Sequence, residues 1–133
     1  MGPVPVLKSS PILLGKIFRF WFPVIVYSAI IFCGSSLPLK KGPQLFPYFD
    51  KILHFLEYIP FGFLTGRALF LAKGGDGQLK GLIKSVVLIS LLYGLSDEFH
   101  QAFVPGRESG LDDVLADTLG GALGAWVFKY VYH

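Results

Sequence analysis

Four long apolar segments divide this chain of 133 residues, with polar or glycine-bearing stretches between them. The segments cover residues 17–37, 52–72, 82–104 and 114–132. Each is close to the ~20 mostly apolar residues that a helix needs to cross the hydrocarbon core of a bilayer. The pattern therefore predicts an all-α fold, a four-helix transmembrane bundle with up-down topology, in one domain spanning residues 17–132.

Composition favours a membrane protein over an ordinary soluble domain. Hydrophobic residues make up 53% of the chain, charged residues only 16%, and the mean hydropathy is +0.58. Soluble domains usually carry about 25% charged residues. The net charge of +3 comes from cations scattered in ones and twos, without the basic stripe of a nucleic-acid-binding protein. No nucleic-acid partner is expected.

Residues 1–16 are predicted to form a weakly structured or interfacial lead-in. A signal peptide is the alternative interpretation of the first segment, but its apolar stretch is longer than a typical signal core. Cys33 is the single cysteine, and we interpret it as a small apolar residue in the interior.

The distribution of basic residues predicts the orientation, because translocated loops tend to be poor in Lys and Arg. One side of the predicted bundle holds eight of the twelve basic residues: Lys8, Lys16, Arg19, Arg67, Lys73, Lys80, Lys84 and Lys129. The other side holds Lys40, Lys41, Lys51 and Arg107. Four spans of a membrane, with both termini in the cytoplasm, are the expected arrangement.

Acidic and histidine residues concentrate at the edges of the apolar segments, in the stretches 50–58, 93–101 and 107–124. Ionisable groups placed against hydrocarbon are costly and mark a functional site by default. In an up-down bundle the three stretches meet at the same face of the membrane, the one that faces away from the cytoplasm. The sequence therefore predicts one polar centre at that surface.

Helical spacing arranges these residues in stripes, because residues three, four and seven apart share a face. The stripes comprise Asp50, His54, Glu57 and Phe61; Tyr93, Asp97 and His100; and Asp113, Asp117, Gly120 and Gly124. Two small-x-x-x-small pairs, Gly62 with Gly66 and Gly120 with Gly124, predict close approach of helices below the polar stripes.

Three ordered motifs carry a resemblance to a known family. They are Asp50-Lys51-x-x-His54-Phe55-x-Glu57-Tyr58, Tyr93-Gly94-x-Ser96-Asp97-Glu98-x-His100-Gln101-x-Phe103-Val104-Pro105-Gly106-Arg107, and Asp113-Val114-Leu115-Ala116-Asp117-Thr118-Leu119-Gly120. They resemble the signature stretches of VanZ-like membrane proteins. The resemblance implies a small integral protein of the prokaryotic plasma membrane and cell envelope, related to an accessory protein associated with lower susceptibility to teicoplanin, a glycopeptide antibiotic. At position 117 this chain has Asp, where the family often has Asn.

The residue types suit acid–base chemistry beside an anionic headgroup. Histidines exchange protons near neutral pH, and carboxyl groups in apolar surroundings can act as acids or bases. The catalytic candidates are His54, Glu57, Asp97, His100 and Asp113. The substrate-binding candidates are Lys51, Tyr58, Gln101, Arg107 and Asp117. A lipid-linked phosphate or cell-wall precursor is the expected ligand, together with the surrounding membrane lipids, and the residues leave open whether a bond is made or broken.

A divalent metal is a variant of this hypothesis. The pairs His54 with Glu57 and Asp97 with His100 each place a nitrogen and an oxygen ligand on one helical face, as in metal-binding helical bundles. Mixed N/O ligation suits several divalent ions, so the cofactor is left open. The non-catalytic alternative is a membrane scaffold or lipid-sensing protein whose polar side chains satisfy one another. The oligomeric state is also left open.

Overall fold

The computed structural model describes residues 11–38, 47–75 and 79–132 of the chain. The described residues form four helices and contain no strand. The helices are α1 (Pro11–Ser36), α2 (Phe49–Ala72), α3 (Leu82–Gln101) and α4 (Leu111–Val131). The predicted all-α fold with four helices is confirmed.

The helix limits differ from the predicted segments mainly at their first residues. α1 begins at Pro11 rather than at residue 17, and proline is tolerated there because the first N–H groups of a helix have no intrahelical partner. α2 and α4 also begin earlier than predicted, so Asp50 and Asp113 lie in helical first turns. Part of the predicted lead-in, residues 1–10, lies outside the described residues, as do three basic residues used in the orientation argument: Lys8, Lys40 and Lys41.

Hydrogen bonds between α1 and α3 show that these two helices run parallel. The Tyr93 hydroxyl donates to the carbonyl oxygen of Ser28 at 2.7 Å, and Ser36 Oγ lies 2.9 Å from His100 Nε2. Positions later in α1 therefore meet positions later in α3. The last turns of both helices lie at the same end of the bundle.

Glycines hold α2 and α4 in close parallel contact. A Cβ atom added at Gly62 would overlap the backbone of Gly121, and one added at Gly124 would overlap the carbonyl oxygen of Ile59. Gly66 is less tightly enclosed, since a Cβ there would lie 3.4 Å from the ring of Phe128. These contacts bring the first turns of α2 and α4 together. We call the end of the bundle formed by these turns and the last turns of α1 and α3 the polar end.

Apolar side chains cover the outer surface of the bundle on all four helices. Exposed examples are Phe22, Ile25 and Ile30 on α1; Ile52 and Leu56 on α2; Leu88, Leu92, Leu95 and Phe99 on α3; and Leu115, Leu119 and Trp126 on α4. The interior holds Ser35, Thr65, Ser90 and several glycines in addition to aliphatic and aromatic side chains. A soluble bundle usually carries charged and polar side chains on its outer faces.

Within the described residues, two helices are long and apolar enough to cross a membrane, over Leu14–Ser36 and Phe49–Ala72. The side chain of Cys33 is exposed on the first of them, so its interpretation as an interior residue was wrong. Cys33 follows Phe32 and precedes Gly34, and the buried face of this turn belongs to Ile31 and Ser35 instead.

Candidate functional site at the polar end

Ionisable side chains from all three polar stretches lie at the polar end. His54, Asp97, Glu98, Asp113 and Asp117 are buried there. Burying an ionisable group costs free energy unless a partner or an ion compensates it. The partners of each group therefore indicate what the site can bind.

Lys51 lies at the surface of the polar end, between three carboxylates. Its Nζ atom is 2.8 Å from Asp50 Oδ2, 2.8 Å from Asp113 Oδ1 and 3.1 Å from Asp112 Oδ2. We call these four residues the Lys51 cluster. With all carboxylates ionised, one positive charge faces three negative charges, so the cluster has an excess of negative charge. Asp113 is the most enclosed of the three acids in this cluster, with 4% of its side chain exposed.

His54 lies one helical turn further into the bundle than Lys51, between two more carboxylates. Its Nδ1 atom is 3.0 Å from Asp117 Oδ1 and 3.8 Å from Glu98 Oε1. We call His54, Glu98 and Asp117 the His54 cluster. Its three members come from α2, α3 and α4, so the cluster exists only when these helices pack together.

Two carboxylate oxygens in the His54 cluster are buried without a hydrogen-bond partner among the described residues, Asp117 Oδ2 and Glu98 Oε1. The other oxygen of Glu98, Oε2, accepts a 2.9 Å hydrogen bond from the backbone N–H of Gly110, just before α4. Gly94 gives Asp117 its space, because a Cβ at Gly94 would lie 2.9 Å from Asp117 Oδ2. The fold thus makes space for the buried carboxylate of Asp117 but leaves one of its two oxygen atoms, Oδ2, without a hydrogen bond from the described residues.

Asp97 faces α1 and takes part in a separate set of hydrogen bonds. Its Oδ2 atom accepts from Ser35 Oγ at 2.9 Å and from Gln101 Nε2 at 2.8 Å. The second oxygen, Oδ1, is buried and has no hydrogen-bond partner within the described part of the chain. His100 lies beside this set, with Nε2 near Ser36 Oγ and its ring 4.6 Å from the ring of Phe32.

Arg107 connects the turn between α3 and α4 to the end of α1. It donates from Nη2 to the carbonyl oxygen of Gly34 at 2.6 Å and from Nε to that of Leu37 at 3.3 Å. These bonds hold the turn between α3 and α4 against the carboxyl end of α1, where the carbonyl oxygen of Gly34 also accepts from the backbone N–H of Leu37. Gly106, with a φ of 82°, adopts the left-handed conformation that lets the chain turn just before Arg107.

The remaining candidates lie in the interior or against α1. Tyr58 is fully buried, and its ring packs against Phe61 and Tyr93. Glu57 is half-buried, with its carboxylate near Gly34, while its carbonyl oxygen accepts a hydrogen bond from the Tyr27 hydroxyl.

The structure thus brings His54, Asp117 and Glu98 into one group and places Glu57, Asp97 and His100 on the side of α1. Glu98 is the residue that sequence reasoning missed. It lies next to Asp97 in the chain but about 100° away around the helix. The sequence held one indication, because Glu98 follows Gly94 by four residues and the two therefore share a helix face. In the structure Gly94 packs against Asp117.

Among the residues that the structure describes, the polar end combines buried carboxylates, two imidazoles and two cations that are already engaged within the protein. Such an arrangement can exchange protons and can hold a positively charged ligand. Direct anion binding by Lys51 or Arg107 requires displacement of carboxylates or of backbone carbonyls, respectively.

Comparison with known proteins identifies a family. The VanZ/LLP1 family matches residues 8–132, nearly the whole chain. No curated protein matches, and no solved structure matches. The matched range contains all of the residues that form the polar end.

Proposed function

Since this chain belongs to the VanZ/LLP1 family, we propose that it is an integral membrane protein whose polar end binds or acts on the headgroup of a lipid-linked envelope precursor. One observation carries the proposal: buried carboxylates and a buried histidine concentrate at one end of a bundle whose outer faces are apolar. Ionisable groups so close to hydrocarbon are expensive, and their usual role in membrane proteins is functional.

Four spans are part of this proposal. α3 has 20 residues and α4 has 21, which corresponds to about 30 Å of helix at 1.5 Å per residue, close to the thickness of the hydrocarbon core. Their exposed faces consist largely of leucine and aromatic side chains, which suit contact with lipid tails. The acids of both helices lie near the polar end, where a headgroup region would meet them.

The proposed orientation places the polar end outside the cytoplasmic membrane and both termini in the cytoplasm. Two single-cysteine proteins in a Cys33→Ser background test it: Ser109→Cys, before α4, and Lys80→Cys, before α3. Because the two positions flank opposite ends of α3, we expect a membrane-impermeant maleimide to label Ser109→Cys in intact cells and Lys80→Cys only after permeabilisation. The reverse labelling pattern would put the polar end in the cytoplasm.

The function is tested by comparing lipid-linked precursor pools and teicoplanin susceptibility in cells with empty vector, wild type, Asp113→Asn or Asp112→Asn. We expect wild type to alter the pools and lower susceptibility, and Asp113→Asn to lose most of this effect at an equal membrane level. Asp113 is buried, whereas the side chain of Asp112 is 61% exposed, so Asp112→Asn is the matched control that keeps the effect.

If wild-type protein changes neither the precursor pools nor the susceptibility relative to empty vector, the proposed ligand is contradicted. Equal retention of the effect in Asp113→Asn and Asp112→Asn contradicts the assignment of the site. Measuring both variants at the same membrane abundance separates a lost activity from a lost protein.

A second candidate function, a non-catalytic scaffold or lipid sensor, is favoured by a different observation. Lys51 and Arg107, the two cations assigned to headgroup binding, are held by groups of the protein itself. For a scaffold, Asp113→Asn reduces membrane abundance or thermal stability and leaves the precursor pools unchanged per molecule. For a lipid sensor, the same variant changes the lipids that copurify with the protein without forming a product.

A further inference from the structure

The three side chains of the His54 cluster offer ligand atoms at distances that suit one metal ion. One atom from each residue can be chosen so that all three lie within 4.8 Å of one another. The 3.0 Å and 3.8 Å separations from His54 Nδ1 compare with ~3.0–3.4 Å between neighbouring ligands around a metal bound at about 2.1 Å. Small side-chain rotations would equalise them.

An independent observation points to a missing positive charge. Glu98 Oε1 and Asp117 Oδ2 are buried and have no hydrogen-bond partner among the residues that the structure describes. The side chain of Asp117 is 0% exposed and that of Glu98 is 7% exposed. With both carboxylates ionised, their charge exceeds the single positive charge of a protonated His54, so a proton or a bound cation has to balance it.

The surroundings of the cluster orient its members as a metal site requires. The backbone N–H of Gly110 holds Glu98 Oε2, so that the other oxygen, Oε1, points towards His54. Outer-shell hydrogen bonds of this kind fix carboxylate ligands in known metal sites. The Lys51 cluster lies one turn nearer the surface, and its negative excess favours the approach of a cation.

From this geometry we propose that the His54 cluster binds a divalent transition-metal ion, through Nδ1 of His54 and carboxylate oxygens of Glu98 and Asp117. One imidazole and two carboxylates suit Zn²⁺ or Mn²⁺ better than Ca²⁺, which takes six to eight oxygen ligands. Two carboxylates neutralise the charge of the ion, and a neutral His54 completes the protein ligands. Metal binding by the His54 cluster does not depend on whether a lipid headgroup binds at the polar end.

This site differs from the metal-ligand pairs predicted from helical spacing, which were His54 with Glu57 and Asp97 with His100. His54 is retained, but Glu57 lies towards α1, and Asp97 also faces α1, where its Oδ2 atom accepts hydrogen bonds from Ser35 and Gln101. The metal ligands therefore come from three helices, one from each, rather than from i,i+3 pairs.

The test uses the full chain purified in mild detergent, stripped with a chelator and titrated separately with Zn²⁺ and Mn²⁺ by isothermal calorimetry. We expect wild type to bind one ion per chain with at least one of the two metals. Glu98→Gln and Asp117→Asn are each expected to weaken binding at least about tenfold, the lower end of the effect of disturbing an outer-shell partner. Glu108→Gln is the matched control, because Glu108 is an exposed residue outside the cluster, and is expected to bind like wild type.

Absence of binding to wild type overturns the inference, as does equal affinity in wild type, Glu98→Gln and Asp117→Asn. A second measurement on wild type alone avoids dependence on how the variants fold. Electron spin-echo spectroscopy of the Mn²⁺-loaded protein, or X-ray absorption of the Zn²⁺-loaded protein, is expected to detect one imidazole nitrogen bound to the ion. Coordination of the ion by oxygen atoms alone overturns the proposal, and the headgroup proposal is unaffected by either result.

Discussion

Replacing Gly62 with alanine is expected to destabilise the bundle by about 3 kcal/mol, at the upper end of the usual cost of overpacking. The added Cβ would overlap the carbonyl oxygen and Cα of Gly121, which are backbone atoms that no side-chain rotation can move. α2 and α4 would have to separate, and their contact is what brings Lys51 to Asp113 and His54 to Asp117. We expect a clearly lower melting temperature in detergent, measured by fluorescence-detected gel filtration after heating.

Two other glycines supply graded controls for this experiment. At Gly66 the nearest atom to an added Cβ is a ring carbon of Phe128 at 3.4 Å, an ordinary contact, so Gly66→Ala is expected to cost much less than Gly62→Ala. At Gly15 an added Cβ meets nothing within 4 Å. Because alanine is the better helix former by about 1 kcal/mol, Gly15→Ala is expected to leave the stability unchanged or to raise it slightly. Equal stability of Gly62→Ala and Gly66→Ala would show that α2 and α4 are not in the described contact.

The glycine pattern shows how far sequence reasoning reached. Small-x-x-x-small spacing correctly indicated Gly62 and Gly124 as positions of close helix approach. It did not indicate Gly121, whose backbone packs against Gly62. The pattern describes the surface of one helix and contains no information about which residues of the neighbouring helix lie opposite. That arrangement depends on how two whole helix surfaces fit together.

Glu98 illustrates a similar limit at the candidate site. A single polar stripe on α3 assumes one neighbouring helix, and Asp97 with His100 fits that assumption by facing α1. In the bundle α3 also packs against α4 and α2, so a second side of its last turn is buried and carries Glu98. Helix periodicity predicts which residues share a face, whereas the number of buried faces follows from the packing.

Lys51 shows why residue type alone does not determine a role. A lysine next to apolar sequence was interpreted as a ligand for an anionic headgroup, and that role stays a prediction. Its partners in the structure are Asp50, Asp112 and Asp113, of which two come from the start of α4. Only the parallel packing of α2 and α4 brings those acids within reach of the ammonium group.

Removing the positive charge of Lys51 is expected to have the second-largest effect on stability. Lys51→Met keeps most of the length of the side chain but leaves the carboxylate of Asp113, 4% exposed, without its cation. Breaking a buried ion pair by removing one partner costs about 3–5 kcal/mol. Because the Lys51 side chain is 22% exposed and water can reach it, we expect a smaller loss of about 1–3 kcal/mol. Thermal unfolding in detergent at neutral pH measures it.

The reason for this loss can be isolated with a double-mutant cycle. If the unpaired charge of Asp113 causes the destabilisation, Asp113→Asn in the Lys51→Met background restores part of the stability, because an amide needs no counter-charge. Asp112→Asn in the same background is expected to restore less, since water already solvates that exposed carboxylate. Identical rescue by the two changes would mean that the ammonium group balances the three acids collectively. No rescue by either would mean that the unpaired charge of these acids does not cause the loss of stability.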